Sequence, residues 1–320
     1  MPWEGAGIMA AMSYIEHLNN VDCIDGKMRG FDKYMSLYVV RGRKIAMVDT
    51  GERMRFEQVK AQIEALGIAL SDISCIFVTH GHQDHLGNTA PLLREMPNAK
   101  VYAHPACKQR LTNPGSIDWK AIFSPEVLAR ITMDMEPVPE DRIVYVNDGD
   151  AFDLGDGEVF TIRYTAGHQP NGVIIYESRN NGVFINDLVG NCFLDADSHY
   201  ILNTRNSDNM ASLATLREVI KNPPSYLYLG HYGITDQVDR VLTRAIRQLE
   251  DQLEIGRTCI REGKPELIAA KIVAYVMPEI EKLRRVRGEE VYKYAAKEHI
   301  PFQSAIYAEY CVKRFAQSSS

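Results

Sequence analysis

The spacing of apolar positions changes along the chain, and each change marks an element. Tyr34-Met35-Ser36-Leu37-Tyr38-Val39-Val40 and Lys44-Ile45-Ala46-Met47-Val48-Asp49 are β-rich runs around the short Arg41-Gly42-Arg43 turn, which predicts a hairpin. From Arg55 to Leu66 the spacing lengthens. Phe56, Val59, Ile63 and Leu66 recur every three or four residues and Gly67 follows as a C-cap, so this segment predicts a helix. Ser71-Asp72 leads into the apolar run Cys75-Ile76-Phe77-Val78, which reads as a buried strand. A short helix, Ala90 to Glu95, and a strand, Lys100 to His104, come next. The alternation is that of a βαβ unit, a sheet covered by helices.

Residues 105–139 break the pattern. Their prolines and their aromatic and methionine side chains (Trp119, Phe123, Met133, Met135) predict a partly helical excursion, either a lid-like insertion or a packed surface connection. Four β-rich runs follow: Ile143 to Val146, Phe160 to Thr165, Val173 to Tyr176 and Val183 to Asn186. Turn pairs such as Asp148-Gly149 and Asn181-Gly182 punctuate them at short intervals, which predicts antiparallel hairpins. A helix from Met210 to Lys221 is closed by Pro223-Pro224, and a last strand, Tyr226 to Leu229, runs into Gly230-His231. The order resembles two halves of similar build, with no repeat in residue identity.

After Thr235-Asp236, an N-cap signal, Val238, Val241, Leu242, Ala245, Ile246, Leu249, Leu253 and Ile260 trace one face of a long helix that stops at Gly263. Pro265 to Val276 and Pro301 to Phe315 predict two more helices, with the charged stretch Glu281 to Glu290 between them. The expected organisation is a unit spanning 1–235 followed by a helical subdomain spanning 236–320, ending in a disordered Ser318-Ser319-Ser320 tail.

Composition narrows this little. The chain has 320 residues, 45% of them hydrophobic and 24% charged, as in an ordinary globular protein. Its formal net charge of -6 gives no electrostatic reason to bind nucleic acid. Six scattered cysteines without a Cys-x-x-Cys pair read as buried hydrophobes in a reducing compartment. Met1 to Met12 carries Glu4 and lacks a basic n-region, so no signal peptide is expected; no apolar run reaches membrane-spanning length, and the cytoplasm is the expected address.

Chemistry concentrates in Thr79-His80-Gly81-His82-Gln83-Asp84-His85-Leu86-Gly87-Asn88, three imidazoles and a carboxylate within six residues at the end of a buried strand. A strand that ends in a turn aims these side chains into one small volume. Imidazole and carboxylate suit zinc, and a metal with open positions acidifies bound water to near neutral pH. Five of the nine histidines lie here or in the later steps Gly167-His168 and Gly230-His231, also at strand ends. A histidine-rich surface loop would not account for that recurrence. Asp49-Thr50-Gly51 puts a further carboxylate at a strand terminus.

Thr79 to Asn88 resembles the His-x-His-x-Asp-His signature of the metallo-β-lactamase-fold hydrolases. Val48-Asp49-Thr50-Gly51, Thr165-Ala166-Gly167-His168, Asn186-Asp187 and Gly230-His231 resemble that family's other motifs, in the same order, over roughly residues 30–235. The resemblance implies an α/β fold, an αββα sandwich of two mixed β-sheets flanked by helices, to which the helical C-terminus is added. It implies that His80, His82 and His168 bind one metal, that Asp84, His85 and His231 bind a second, and that Asp187 bridges them. Two Zn2+ are the implied cofactors, with Fe or Mn suited to the same donors. Asp49 would support the ligand loop by accepting hydrogen bonds.

The implied activity is hydrolysis of a small-molecule ester, thioester or lactone by a metal-bridging hydroxide, with Asp84 also taking up a proton. The sequence departs from the usual motifs at Ala166, Gln169 and Asn186, where Pro, Ser or Thr, and Gly are more common. Leu188-Val189-Gly190 lacks the tyrosine of homoserine-lactone lactonases, and Asn191 to His199 lacks the Gly-Cys-Gly-Lys/Arg pattern of glyoxalase II. Tyr232, Tyr200 and Asn206 are candidate donors to a developing oxyanion. His17, His104, His199 and His299 have no comparable context and read as structural. The rival readings are phosphodiester or phosphotriester hydrolysis, on a small phosphoester or RNA, and a metal-containing signal-binding protein with little turnover. The C-terminal helices either wall the cleft or form a homodimer contact, because an amphipathic hairpin buries its apolar face on something.

Overall fold

The computed structural model describes residues 14–116, 135–201 and 203–316. Trp119, Phe123, Met133 and most of the excursion they belong to, the N-terminal stretch before Tyr14 and the serine tail lie outside the described residues.

Two large sheets and a two-stranded ribbon are present among the described residues. The first takes its strands in chain order: β1 (His17–Leu18), β2 (Val21–Asp25), β3 (Ser36–Arg41), β4 (Ile45–Val48), β5 (Ile73–Phe77), β6 (Lys100–Ala103) and β7 (Ile143–Tyr145). β1 to β4 are antiparallel, as the hairpin signal requires, and β4 to β7 are parallel. Helix α1 (Phe56–Ala65) makes the first parallel crossover, and α2 (Gln83–Leu86) and α3 (Thr89–Glu95) the second. The short helix α4 (Lys108–Thr112) follows β6.

The second sheet is built from β8 (Ala151–Gly155), β9 (Glu158–Thr165), β10 (Gly172–Glu177), β11 (Gly182–Asn186), β14 (Tyr226–Leu229) and β15 (Ile234–Thr235). β12 (Asn191–Phe193) and β13 (Ser198–Tyr200) form a separate ribbon. β8 to β11 are the expected antiparallel meander, and β14 joins β11 in parallel. Helix α5 (Asn209–Val219) connects them, its first turn capped by the Asp208 carboxylate, which accepts from the Met210 and Ala211 amides.

Both faces of the central strands are buried, which is why the sequence shows continuous apolar runs there. Tyr38, Val40, Val48 and Phe77 point inward to meet Phe160, Ile162, Val173 and Phe184 between the sheets. Their neighbours Leu37, Val39, Met47, Ile76, Ile174, Val183 and Ile185 point outward into the core beneath the helices. The layers are those of the expected αββα sandwich.

The C-terminal helices are α6 (Val238–Arg261), α7 (Ile268–Arg287), α8 (Glu289–Lys293) and α9 (Ile300–Phe315). One prediction fails here: the charged stretch Glu281 to Glu290 is mostly helix. α7 runs on through Pro278 to Arg287, because Ile280 and Leu283 extend its buried face beyond Val276 and outweigh the proline's cost. A π-helical segment, Tyr294–His299, which no periodicity announced, joins α8 to α9. Leu249, Leu253, Ile272, Ile280, Ile300 and Tyr307 belong to the same apolar cluster as the outer face of the sheets. Among the described residues, no helix is long and apolar enough to cross a membrane.

Candidate metal centre

β4, β5, β9, β11 and β14 point the same way, so the residues that follow them gather at one edge of the sandwich. Asp49 follows β4, His80 follows β5, His168 follows β9, Asp187 follows β11 and His231 follows β14. The two sheets are tied at this edge. The Val173 amide donates to the Thr79 carbonyl at 2.8 Å, Ser36 N to Gly230 O at 2.9 Å, and the Tyr38 hydroxyl to Leu229 O at 2.6 Å.

All seven residues that the resemblance singled out converge there. His80, His82, His168 and Asp187 form one group and Asp84, His85 and His231 a second, with potential ligand atoms within 4.8 Å of one another in each. His80 Nε2 is 2.8 Å from His82 Nδ1, which is 3.1 Å from His168 Nε2. Nitrogens bound to one tetrahedral zinc at about 2.0–2.1 Å stand roughly 3.3 Å apart, so these three are spaced for a common cation. Asp187 Oδ2 lies 3.8 Å from His80 Nε2, 3.4 Å from His85 Nε2, 3.5 Å from His168 Nε2 and 3.4 Å from His231 Nε2, a position shared by both groups.

Two buried atoms at the centre have no hydrogen-bond partner, His85 Nε2 and Asp187 Oδ1. Orphans of this kind are costly in a folded protein, and a bound cation would satisfy them. The opposite ring nitrogens are anchored, which turns the free ones inward. His85 Nδ1 is 2.7 Å from Asp49 Oδ2, and His231 Nδ1 donates to the Tyr34 carbonyl at 2.6 Å. Asp49 also accepts from the Thr79 amide at 2.8 Å and the Thr79 hydroxyl at 2.7 Å; that hydroxyl is 3.2 Å from His80 Nδ1. The donor set thus fits a pair of divalent cations.

Burial, reinforced by neighbouring imidazoles, holds His80 and His82 well below the ordinary histidine range, and burial likewise lowers His168. These three rings are neutral, as ligands must be. Burial also opposes protonation of His85 and His231, but the Asp187 carboxylate outweighs it and raises both. Burial resists ionisation of Asp84, yet the His85, His82 and His231 rings bring it below the usual carboxylate range.

The Gly-His steps have a steric origin. A Cβ on Gly167 would stand 2.6 Å from the Ser212 Cα, and one on Gly230 would overlap Asp187 Oδ1. Asn186 stands where the motif usually has Gly, and its backbone explains the usual choice: φ 60°, ψ -157° is a region that almost only glycine enters. Its amide offsets the strain by bonding the Thr79 and Val173 carbonyls, each at 3.3 Å.

A cavity of about 150 Å³ opens over the centre, lined on one side by His82, Asp84, His168, Asp187 and His231 and on the other by C-terminal residues including Tyr294, His299, Phe302 and Gln303. Of the three candidate oxyanion donors, only Asn206 lines it. The Tyr200 hydroxyl is instead 3.1 Å from that of Tyr34, and the buried Tyr232 ring faces Tyr14 and Phe193. Strand-end position alone did not decide which way those rings turn. His199 is structural as expected: its Nε2 is 2.6 Å from the Val189 carbonyl, bracing the turn after Asp187. His299 is the residue that neither motif nor spacing selects, since only the π-helical segment turns it toward the cavity.

An αββα sandwich that gathers histidines and aspartates at one edge defines a recognisable class of proteins. The sequence profile of the metallo-beta-lactamase superfamily matches residues 29–231, well over half of the chain, and the chain belongs to that superfamily. It is 24% identical over 159 residues to the anaerobic nitric oxide reductase flavorubredoxin of Vibrio vulnificus (strain YJ016), a match covering 49% of this chain and 28% of that protein. The chain thus spans less than a third of the flavorubredoxins it matches. It is 18% identical over 267 residues to the "Probable metallo-hydrolase YqjP" of Bacillus subtilis (strain 168), covering 76% of this chain and 81% of that one.

Among solved structures, a metallo-beta-lactamase family protein from Thermus thermophilus shares the fold with a TM-score of 0.62 at 16% identity, over 92% of this chain and 94% of the other. An archaeal superfamily protein from Sulfolobus tokodaii does so with a TM-score of 0.59 at 20% identity, over 72% and 86%.

Proposed function

We propose that this protein is a hydrolase dependent on two divalent metals that cleaves a carbonyl ester, thioester or lactone of a small molecule. The observation that carries the reading is the position of Asp187 Oδ2, 3.4–3.8 Å from four imidazole nitrogens belonging to two separate donor groups, under a cavity. His80, His82 and His168 would hold one cation, Asp84, His85 and His231 the other, and Asp187 both. Zinc, or iron or manganese in its place, supplies Lewis acidity and acidifies a bound solvent molecule when present.

The chain's own groups do the rest. Asp84, kept ionised by the rings around it, accepts a proton from the attacking water. Asp49 fixes the His85 ring and, through Thr79, the backbone that carries His80. The cavity volume of about 150 Å³ limits the substrate to a compact acyl or ring group. We assign the catalytic unit to 1–235 and the helical unit to 236–320, which completes the wall. The charge of -6 argues against nucleic acid as a partner. The free cysteines suit the cytoplasm, and a homodimer contact remains a second role for the helices.

The local likeness to flavorubredoxins supports a second reading, in which iron replaces zinc and the chemistry is redox. Metal analysis of the purified protein, followed by p-nitrophenyl esters, thioesters, lactones and phosphodiesters, separates the readings. The expected result is close to two metals per chain and carbonyl-ester or lactone turnover that His82→Ala abolishes. Turnover of phosphodiesters alone, or ester turnover undiminished in His82→Ala, overturns the carbonyl reading.

A further inference from the structure

Three guanidinium groups line the cavity, and they are not equivalent. Arg29 is paired with Glu52, at the end where Tyr294 and Asp84 are its neighbours. Arg110 and Arg205 belong to the other end, because each sits on a segment fixed against the backbone that carries His80, His82 or His168. Arg110 is on α4, beside the buried Leu111, whose carbonyl accepts the Val138 amide at 2.8 Å. Its stem crosses the backbone between His80 and His82, where a Cβ on Gly81 would stand 2.8 Å from Arg110 Cδ. Only a glycine between the two histidines leaves the arginine that path.

Arg205 lies in the turn that precedes α5. The Thr204 and Ser207 hydroxyls donate to the His168 carbonyl at 3.3 and 2.9 Å, and the Asp208 amide donates to the Gly167 carbonyl at 2.7 Å, so this turn is held to the strand end that carries His168. Arg205 is exposed, and among the described residues no carboxylate pairs with it. Burial takes enough water from the Arg110 guanidinium to lower its hold on its proton, yet the group stays charged. Its five N–H donors, set in one plane, can hold an incoming anion beside the contacts it already makes.

The charges on the cavity decide what kind of anion fits. Asp84 and Asp187 belong to the metal centre, where the two proposed cations outweigh them, and Glu298 stands on the C-terminal wall. With Arg29 answered by Glu52, Arg110 and Arg205 exceed Glu298 by one positive charge. A single negative charge matches that excess, and a dianionic phosphate overshoots it. The guanidinium fork also fits the two oxygens of a carboxylate.

We infer that Arg110 and Arg205 form a carboxylate-binding subsite at the His82 and His168 end of the cavity, which makes the substrate a compact acyl compound bearing one carboxylate besides the bond to be cleaved. The inference rests on the cavity being the substrate site proposed above. It gives α4 and the turn before α5 the part of selecting the substrate by its charge.

The test is equilibrium binding to the zinc-loaded full chain, read by ligand-observed NMR at pH 8. The probes benzoate and benzamide have the same shape, differ in charge and resist hydrolysis. Benzoate should bind about ten-fold more tightly, and Arg110→Gln and Arg205→Gln should each cut that preference about three-fold or more, as the loss of a charge-assisted hydrogen bond does. Lys108→Gln removes an exposed charge from the same helix, one that pairs with Glu140 and does not line the cavity, and should leave the preference unchanged. Damage to the fold would lower both affinities and spare the preference, whereas a carboxylate held by zinc alone would bind the arginine variants as well as the unmodified protein. Equal affinities for the two probes, a preference unchanged in both arginine variants, or one that Lys108→Gln cuts as far as Arg110→Gln does, overturns the inference. Phenylphosphonate, a dianion at this pH, tests the choice of charge: a greater loss than benzoate's in the arginine variants overturns the carboxylate assignment. Because binding needs no turnover, an arginine-dependent preference in a protein that hydrolyses no ester, thioester or lactone would refute the hydrolase reading and leave this subsite standing.

Discussion

On the two-metal reading proposed above, removing the Asp49 carboxylate should weaken one metal more than the other. In the fold, Asp49 accepts three hydrogen bonds at 2.7–2.8 Å, from the Thr79 amide, the Thr79 hydroxyl and His85 Nδ1, and it is 4% exposed. A hydrogen bond to a charged group contributes about 1.5–3 kcal/mol. Asp49→Ala deletes one such bond to a ligand of the Asp84, His85 and His231 group and leaves that ring free to turn. A loss of about 1.4–2.7 kcal/mol corresponds to a 10–100-fold weaker metal, the range found when a ligand's supporting partner is removed. The His80, His82 and His168 group feels Asp49 only through Thr79, so its cation should be affected several-fold less.

Competition with a chromophoric chelator, resolving two zinc equivalents in Asp49→Ala and Asp49→Asn, measures both constants. The expected pattern is one weakened site and one nearly intact. Loss of both metals together, or two constants within two-fold of the unmodified protein, would refute the idea that Asp49 acts by orienting His85.

Two further outcomes are expected. Glu158 is fully buried at the far end of the sandwich, where Asn20 donates to it at 2.7 Å; burial, and then its hydrogen bond with Glu177, push its carboxyl up from 4.5 to about 7. Between those values the folded chain keeps a proton that the unfolded chain releases, so this stability is present below about pH 4.5 and lost as pH rises through 7. Urea melts at pH 5 and pH 8 should show Glu158→Gln with a smaller pH dependence than the unmodified protein; an unchanged difference sinks the assignment. At Asn186, Gly would relieve backbone strain of about 1–3 kcal/mol while losing the side chain's bonds to the Thr79 and Val173 carbonyls and from the Asp187 amide, and Ala would lose the same bonds without relief. Asn186→Ala should therefore melt at lower urea than Asn186→Gly, and the reverse order would show that the backbone there is unstrained.

What the sequence alone determined follows from short-range rules. A strand buried on both faces must be apolar throughout, so Leu37 to Val40, Cys75 to Val78 and Val183 to Ile185 declared themselves. The cluster from His80 to His85 was legible because its members are within one turn of each other, and Gly167-His168 and Gly230-His231 because each follows a β-rich run and they stand in the order of the family's motifs; the collisions that a Cβ at either glycine would make with Ser212 or Asp187 show only in the structure. Only the tertiary structure decided the rest. The parallel pairing of β4 with β5 and of β11 with β14 carries side chains over a hundred residues apart to one edge, where Asp187 can stand among four imidazoles. The inward turn of His299 depends on a change of helical register, and the burial of Tyr200 and Tyr232 on which neighbours their rings met. Contacts between distant segments are set by packing and leave no period in the chain that a local reading can detect.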